Sequence, residues 1–310
     1  MPSTYQGRPL PRPDEEIVDQ GLGFDLGTLT TRRRMLSMLG IGTVGLGLAA
    51  CGTSAPNGSA SSSAAASSSS AAASDLAEIP DETAGPYPGD GSNGPDVLEQ
   101  NGIVRTDVRS SFGEMTGTAE GVPITLELTV RDIAKGGVPF TGAAVYVWHC
   151  DREGRYSLYS DDVTDQNYLR GVQIADDNGV VSFTSIFPAC YEGRWPHIHF
   201  EVYLDKADIT DSTKAIATSQ LAFPKDVCDA VYATTGYEKS IQTLSRVSLT
   251  SDGIFGEDGA AHQLATVRGD VKSGYQVSLP VGVDTRTVPK VETMQGPPNG
   301  GPPPGGGAPR

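Results

Sequence analysis

Cysteine and histidine are scarce in this chain of 310 residues, with four of each. The cysteines, Cys51, Cys150, Cys190 and Cys228, form no Cys-x-x-Cys spacing, which argues against a thiolate zinc site. Positive charge is also short. Against 38 Asp and Glu stand 23 Lys and Arg, a formal net charge of −15 at pH 7. No basic stripe remains to track a phosphate backbone, so nucleic acid is not an expected partner. No internal repeat is visible. The apolar run that ends at Ala50 spans about 16 residues, too short for a membrane helix and typical of a signal sequence.

That run follows Thr31-Arg32-Arg33-Arg34-Met35-Leu36, which reads as a twin-arginine export signal. It ends at Leu48-Ala49-Ala50-Cys51-Gly52, which looks like a bacterial lipoprotein processing box. Cleavage before Cys51 would leave a lipidated N-terminus; an uncleaved signal anchor is the alternative. The expected division is a signal peptide over 1–50, a flexible Ser/Ala-rich tether over 51–76, a folded domain over 77–290 and a disordered Gly/Pro-rich tail over 291–310. This predicts an exported protein, held on the membrane by its N-terminal lipid and facing out of the cytoplasm. The folded part is roughly 210 residues, an ordinary size for one domain. Outside the cytoplasm thiols tend to pair, and Cys190 with Cys228 is the expected bridge. Three thiols leave at least one free.

The domain reads as strands and turns. Ile124-Thr125-Leu126-Glu127-Leu128-Thr129-Val130 alternates apolar and polar residues, as a half-buried strand does. Further strands are expected over 144–149, 180–184, 197–204, 215–221, 263–269 and 275–281. Gly-containing turns such as Asp177-Asn178-Gly179 punctuate them. One short helix is expected with Pro224 in its first turn and Val227, Ala230 and Val231 on one face. Many short strands with one helix predict an all-β fold, a β-sandwich.

Tyr191-Glu192-Gly193-Arg194-Trp195-Pro196-His197-Ile198-His199 brings a phenol, a guanidinium and two imidazoles into nine residues. On a strand His197, His199, Glu201 and Tyr203 share one side, and Ile198, Phe200, Val202 and Leu204 the other. A His-x-His pair so placed aims both rings at one point, as a metal site needs. Two polar-face histidines that touch nothing are the alternative. Upstream, Val145-Tyr146-Val147-Trp148-His149-Cys150 runs into Asp151-Arg152-Glu153-Gly154-Arg155-Tyr156-Ser157, an apolar strand leading to a charged turn and a tyrosine.

Together these segments resemble the intradiol ring-cleavage dioxygenases. The resemblance rests on Gly154-Arg155-Tyr156, on Pro188-Ala189-Cys190-Tyr191, and on Arg194 three residues before His197-Ile198-His199. Leu169-Arg170-Gly171-Val172-Gln173, Asp177-Asn178-Gly179 and Phe183-Thr184-Ser185-Ile186 match the approach to the second tyrosine. Thr83-Ala84-Gly85-Pro86-Tyr87 is similar to a segment bordering the substrate pocket, and Thr218-Ser219-Gln220-Leu221 to a strand with a pocket glutamine. The match covers roughly residues 80 to 285. Two features depart from it: the stretch from Tyr191 to Arg194 is shorter, and the helical N-terminal dimerisation region has no counterpart. Pocket shape and substrate therefore do not carry over, and the oligomeric state stays open.

The resemblance implies a non-haem Fe(III) cofactor held by Tyr156, Tyr191, His197 and His199. Phenolates favour the ferric state because their charge compensates the higher oxidation number. It further implies that a catechol-type substrate binds and loses its protons, with Tyr191 as the accepting group. O2 then opens the ring between the two oxygenated carbons to a muconate-type diacid. Arg194 is expected to stabilise charge on the ring. Gly85, Pro86, Tyr87 and Gln220 are the implied substrate contacts. Gln220 can equally be an ordinary hydrogen-bonding residue of its strand. His149 is expected to be structural beside Trp148, and His262 to lie on the surface. Tyr146, Tyr159, Tyr168, Tyr203, Tyr232 and Tyr237 read as packing or surface residues. Two other readings stay open, a cell-surface β-sandwich that holds metal or ligand without turnover, and a copper or zinc protein built on the histidine pair.

Overall fold

The computed structural model describes residues 76–286, together with an antiparallel strand pair, β1 (Thr4–Tyr5) and β2 (Arg8–Pro9). That pair belongs to a separate unit, Met1–Ala64; everything below concerns the unit Ala65–Arg310. The twin-arginine segment, Cys51, the Ser/Ala-rich stretch to residue 75 and the tail 291–310 lie outside the described residues. Among the described residues no helix is long and apolar enough to cross a membrane.

Two sheets form a sandwich. In the first, β10 (Thr266–Asp270), β11 (Gly274–Val283), β3 (Pro123–Asp132) and β4 (Val138–Pro139) follow in that order, and β7 (Val180–Ile186) also pairs with β3. The second is antiparallel, ordered β6 (Arg170–Ile174), β5 (Ala144–Trp148), β8 (His197–Tyr203) and β9 (Ala217–Ala222). The alternation expected of β3 is there: Ile124, Leu126, Leu128 and Val130 are buried between exposed or partly exposed neighbours. They join one core with Val181 and Phe183 of β7, Val145 and Val147 of β5, and Ile198, Phe200 and Val202 of β8. Burying each such side chain contributes roughly 1.5–3 kcal/mol.

The second sheet is buried on both faces. Tyr146, Trp148 and Tyr203 turn away from the sandwich core into a second apolar cluster that includes Tyr156. β8 is therefore buried along its whole length, with His197, His199 and Glu201 on this outer side. Leu204 departs from the expected alternation. The strand ends at Tyr203 and Leu204 is 47 % exposed. β4 and β6 were not expected as strands. In β6 the alternation is interrupted at Gly171, where a Cβ would come within 2.5 Å of Val108 Cγ1. The glycine is thus required by a segment crossing close over the strand.

Among the described residues there are two α-helices rather than one. Pro224, expected in the first turn, instead caps α1 (Lys225–Tyr232) in an extended conformation, the buried residues are Cys228, Val231 and Tyr232, and Ala230 is exposed. Three- and four-residue steps from Cys228 define that face. The second helix, α2 (Glu238–Leu244), is mostly polar and buries only Ser240 and Leu244, one turn apart. The expected Cys190–Cys228 bridge is absent: Cys150, Cys190 and Cys228 are all free and buried. The Cys190 thiol instead donates to the carbonyl of Arg194.

Candidate active site

Both helices serve the loop that leads to Tyr191. Tyr237 Oη donates to the carbonyl of Phe187 (2.8 Å) and Tyr232 Oη to that of Pro188 (3.1 Å). Ser240 Oγ accepts from the Cys190 N–H at 3.0 Å. Past this anchored stretch the chain turns tightly, and Arg194 N–H donates to Tyr191 O at 3.3 Å. Gly193, at φ 81°, takes the left-handed backbone that the third position of such a turn needs.

Tyr156 arrives from the other side. Its turn is built on buried Asp151, whose Oδ1 accepts from the N–H groups of Glu153 and Arg155 at 2.9 and 3.0 Å. Oδ2 accepts from Arg155 Nε at 2.9 Å and Tyr168 Oη at 3.1 Å. One residue on, Ser157 is held by Arg170, a guanidinium only 1 % exposed. Arg170 Nε donates to Ser157 Oγ, Nη1 to Pro88 O and Tyr146 Oη, and Nη2 to Tyr87 O and Ser157 O. The same arginine thus fixes the Tyr156 turn and the segment carrying Tyr87. That segment lies over the site. The Tyr87 ring centroid is 4.9 Å from that of Tyr156, and a Cβ on Gly85 would stand 3.4 Å from His199 Cε1.

Four donor atoms meet at the end of β8. Tyr191 Oη is 3.1 Å from His197 Nε2, which is 3.1 Å from His199 Nε2. Tyr156 Oη is 3.4 Å from Tyr191 Oη and 3.5 Å from His197 Nε2. His197 Nδ1 lies 2.5 Å from the carbonyl of Trp195, which can only accept. The Nδ1 proton is therefore fixed there, and the Nε2 lone pair faces the cluster. Three polar groups thus crowd one lone pair, and a cation at their centre would accommodate all four. Donors about 2.0–2.1 Å from a metal and about 90–110° apart would themselves lie about 2.8–3.4 Å apart, close to the separations found. Trp148 stacks on His199, 4.9 Å between centroids and 8° between planes, and sets that ring's orientation.

Burial dominates the electrostatics. It raises the Tyr156 phenol well above its ordinary range and pushes Tyr191 up to about 12, although the Arg194 charge pulls Tyr191 back down. It lowers His197 to about 3 and His199 well below its ordinary range, with Arg194 adding to the shift at His197 and the neighbouring imidazole at His199. Both histidines are thus neutral, the form that ligates metal. Among the described residues no group of three or more His, Cys, Asp or Glu is placed to hold a metal. The set that converges is two phenols and two imidazoles, which suits a hard trivalent ion.

Arg194 lies beside this cluster and is tied at both ends. Nε donates to Asp252 Oδ2 at 2.9 Å and Nη2 to Gln220 Oε1 at 2.6 Å. Gln220 Nε2 in turn donates to Thr83 O at 3.1 Å, so both ends of its amide are taken. It therefore links Arg194 to the 83–87 segment rather than presenting a free amide. Asp252 was not singled out in the sequence, where it stands in a polar loop 58 residues from its arginine. His149 is structural: its ring nitrogens bond Cys150 O and Ser185 Oγ, both at 2.8 Å. His262 is exposed. Tyr146, Tyr203, Tyr232 and Tyr237 are buried packing residues.

The Dioxygenase family model (Dioxygenase_C) matches residues 93–234, which include Tyr156, Tyr191, Arg194, His197, His199 and Gln220. A chlorocatechol 1,2-dioxygenase of Rhodococcus opacus is 42 % identical over 64 residues, 21 % of this chain and 24 % of that protein. A catechol 1,2-dioxygenase of Pseudomonas sp. (strain EST1001) is 39 % identical over 72 residues, 23 % of each. The chain thus spans about a quarter of the length of the curated relatives it matches. In fold it is similar to an intradiol ring-cleavage dioxygenase from Tetranychus urticae, with a TM-score of 0.53 at 22 % identity over 69 % of this chain and 98 % of the other. Residues 93–234 thus match the Dioxygenase family model, and in motif order and β-sandwich the chain is similar to the intradiol ring-cleavage dioxygenases.

Proposed function

We propose that this protein is a non-haem Fe(III) dioxygenase that opens a catechol-type ring between its two hydroxylated carbons with O2, giving a muconate-type diacid. The observation that carries this reading is the convergence of four groups: Tyr191 Oη and His199 Nε2 each lie 3.1 Å from His197 Nε2, and Tyr156 Oη lies 3.4 Å from Tyr191 Oη and 3.5 Å from His197 Nε2. Ferric iron, when bound, would supply the Lewis acidity that lets a catechol shed its protons near neutral pH.

The residues of the chain divide the remaining work. Tyr156, on a turn fixed by Asp151 and Arg170, and the two histidines, on a rigid strand, are the fixed donors. Tyr191 stands on a loop and is partly exposed, unlike Tyr156. It is the donor suited to leave its position and take a substrate proton at Oη. Arg194 keeps its charge: burial alone would lower its pKa, but Tyr191 and Asp252 outweigh that and the net direction is up. A fixed cation here can stabilise negative charge as the ring loses aromaticity. Gly85, Pro86 and Tyr87 border the space a ring would occupy, with Tyr87 already against Tyr156.

The test is oxygen uptake and product identity with a panel of catechols, on protein purified after expression with iron. A muconate carrying both atoms of O2 is the expected product. A hydroxymuconic semialdehyde refutes the cleavage position. Iron-loaded protein with no uptake on any catechol favours a binding module. Stoichiometric zinc or copper in place of iron refutes the cofactor. The same proposal has the mature protein anchored outside the cytoplasm through lipidated Cys51, on the strength of the Leu-Ala-Ala-Cys box.

A further inference from the structure

Asp252 is 3 % exposed, and each of its carboxylate oxygens takes two contacts. Oδ2 accepts from Arg194 Nε at 2.9 Å and from Trp195 N–H at 2.6 Å; Oδ1 accepts from the N–H groups of Ile254 and Phe255 at 2.8 and 3.0 Å. Burial opposes its ionisation, but Arg194 and these N–H groups hold its pKa below the usual carboxylate range. A buried carboxylate so completely satisfied stays charged, and among the described residues Arg194 is the only cation in ion-pair reach of it. From Asp252 a continuous chain of bonds runs through Arg194 and Gln220 to Thr83 O. An arginine otherwise loses rotamer freedom when it is ordered. Here that ordering is done before any substrate arrives.

We propose that Asp252 is a positioning residue of the active site: it fixes the Arg194 guanidinium beside the Tyr191–His197 donors and, through Gln220, sets its distance from the 83–87 wall. The inference rests on the dioxygenase reading for its kinetic consequence alone. Asp252 lies outside the matched span 93–234, yet it reaches back to the arginine that precedes the histidine pair. Its role is orientation rather than proton transfer, because all four of its contacts come from groups of the protein itself.

A double-mutant cycle tests this with Asp252→Asn and Arg194→Ala, singly and together, in iron-loaded protein. Asp252→Asn is expected to lower kcat about 10- to 100-fold, the cost of a misplaced catalytic group, with little change in KM or in the phenolate-to-iron absorption band. In the Arg194→Ala background it should cause no further loss. A thermal-unfolding cycle supplies a readout independent of turnover. Each single change leaves one buried charge unpaired, so the double variant should melt higher than the two losses summed. Equal kcat losses in both backgrounds, or full kcat in Asp252→Asn, would overturn the assignment, as would additive melting losses. If Asp252→Asn does not fold, Asp252→Glu enters the same cycle, since it keeps the charge but moves the oxygen off Arg194 Nε. If wild-type protein holds iron but takes up no oxygen with catechols, the dioxygenase reading fails, and the pairing is judged by the melting cycle.

Discussion

Loading the site with iron should expel one proton from each of its two tyrosines. Without metal, burial keeps the Tyr156 and Tyr191 phenols protonated, Tyr191 at about 12 and Tyr156 well above its ordinary value. The same burial keeps the imidazoles neutral, His197 at about 3 and His199 well below its ordinary value. Between about pH 5 and 9, then, the phenols carry their protons and the histidines have none to give. Ligation through phenolate oxygen must release two protons, and apparent affinity should rise with pH, by about 100-fold per unit from these two groups. The assay is a pH-stat titration of metal-free protein with a ferric chelate, comparing wild type with Tyr156→Phe and Tyr191→Phe. Protons contributed by the chelate or by solvent cancel in the differences, so each variant should release one fewer than wild type. Equal release by wild type and Tyr191→Phe would refute Tyr191 as a phenolate ligand.

His197→Ala or His199→Ala should abolish iron retention, because a four-donor site that loses a neutral nitrogen is left open; metal analysis of the purified variants checks it. Arg170→Met leaves the carbonyls of Tyr87 and Ser157 without their donor, Pro88 O keeping that of Tyr146 Oη, and should cost roughly 3 kcal/mol or more in urea unfolding. A loss below about 1 kcal/mol would mean that the arginine does not hold the two segments. Intact-mass spectrometry of the exported protein should find an N-terminus at Cys51 carrying two or more acyl chains, since one chain alone anchors marginally. An unmodified Cys51 refutes the anchor.

Local pattern foretold the parts of this molecule with local causes. β3 alternates because one of its faces meets the core and the other does not. β8 carries its donors on one side and Ile198, Phe200 and Val202 on the other, so a period of two revealed both jobs together. α2 escaped notice because its contribution is a single serine hydroxyl aimed at Cys190 N–H, which leaves no apolar stripe. Arg170 was visible only as part of a motif; that it spans from Ser157 to Tyr87 depends on strand pairing of β6 with β5. Asp252 had still less signal, since its meaning lies wholly in a partner brought near by folding.

The placement of the donors explains how one strand can serve stability and chemistry without conflict. Ile198, Phe200 and Val202 belong to the sandwich core, which is built from both sheets. His197 and His199 face the other way, into a cluster whose aromatic members include Trp148 and Tyr156. That second cluster excludes water from the donors, and the same exclusion keeps the imidazoles neutral and the phenols protonated until a cation arrives. A dry site usually costs stability, because polar groups lose their hydration. Here the offset is local: Trp195 O takes the His197 Nδ1 proton, Trp148 covers His199, and Asp252 answers the charge of Arg194. What remains unmatched is the set of lone pairs at the centre, which a trivalent metal ion would take up, and the buried Nδ1 of His199, which has no hydrogen-bond partner among the described residues.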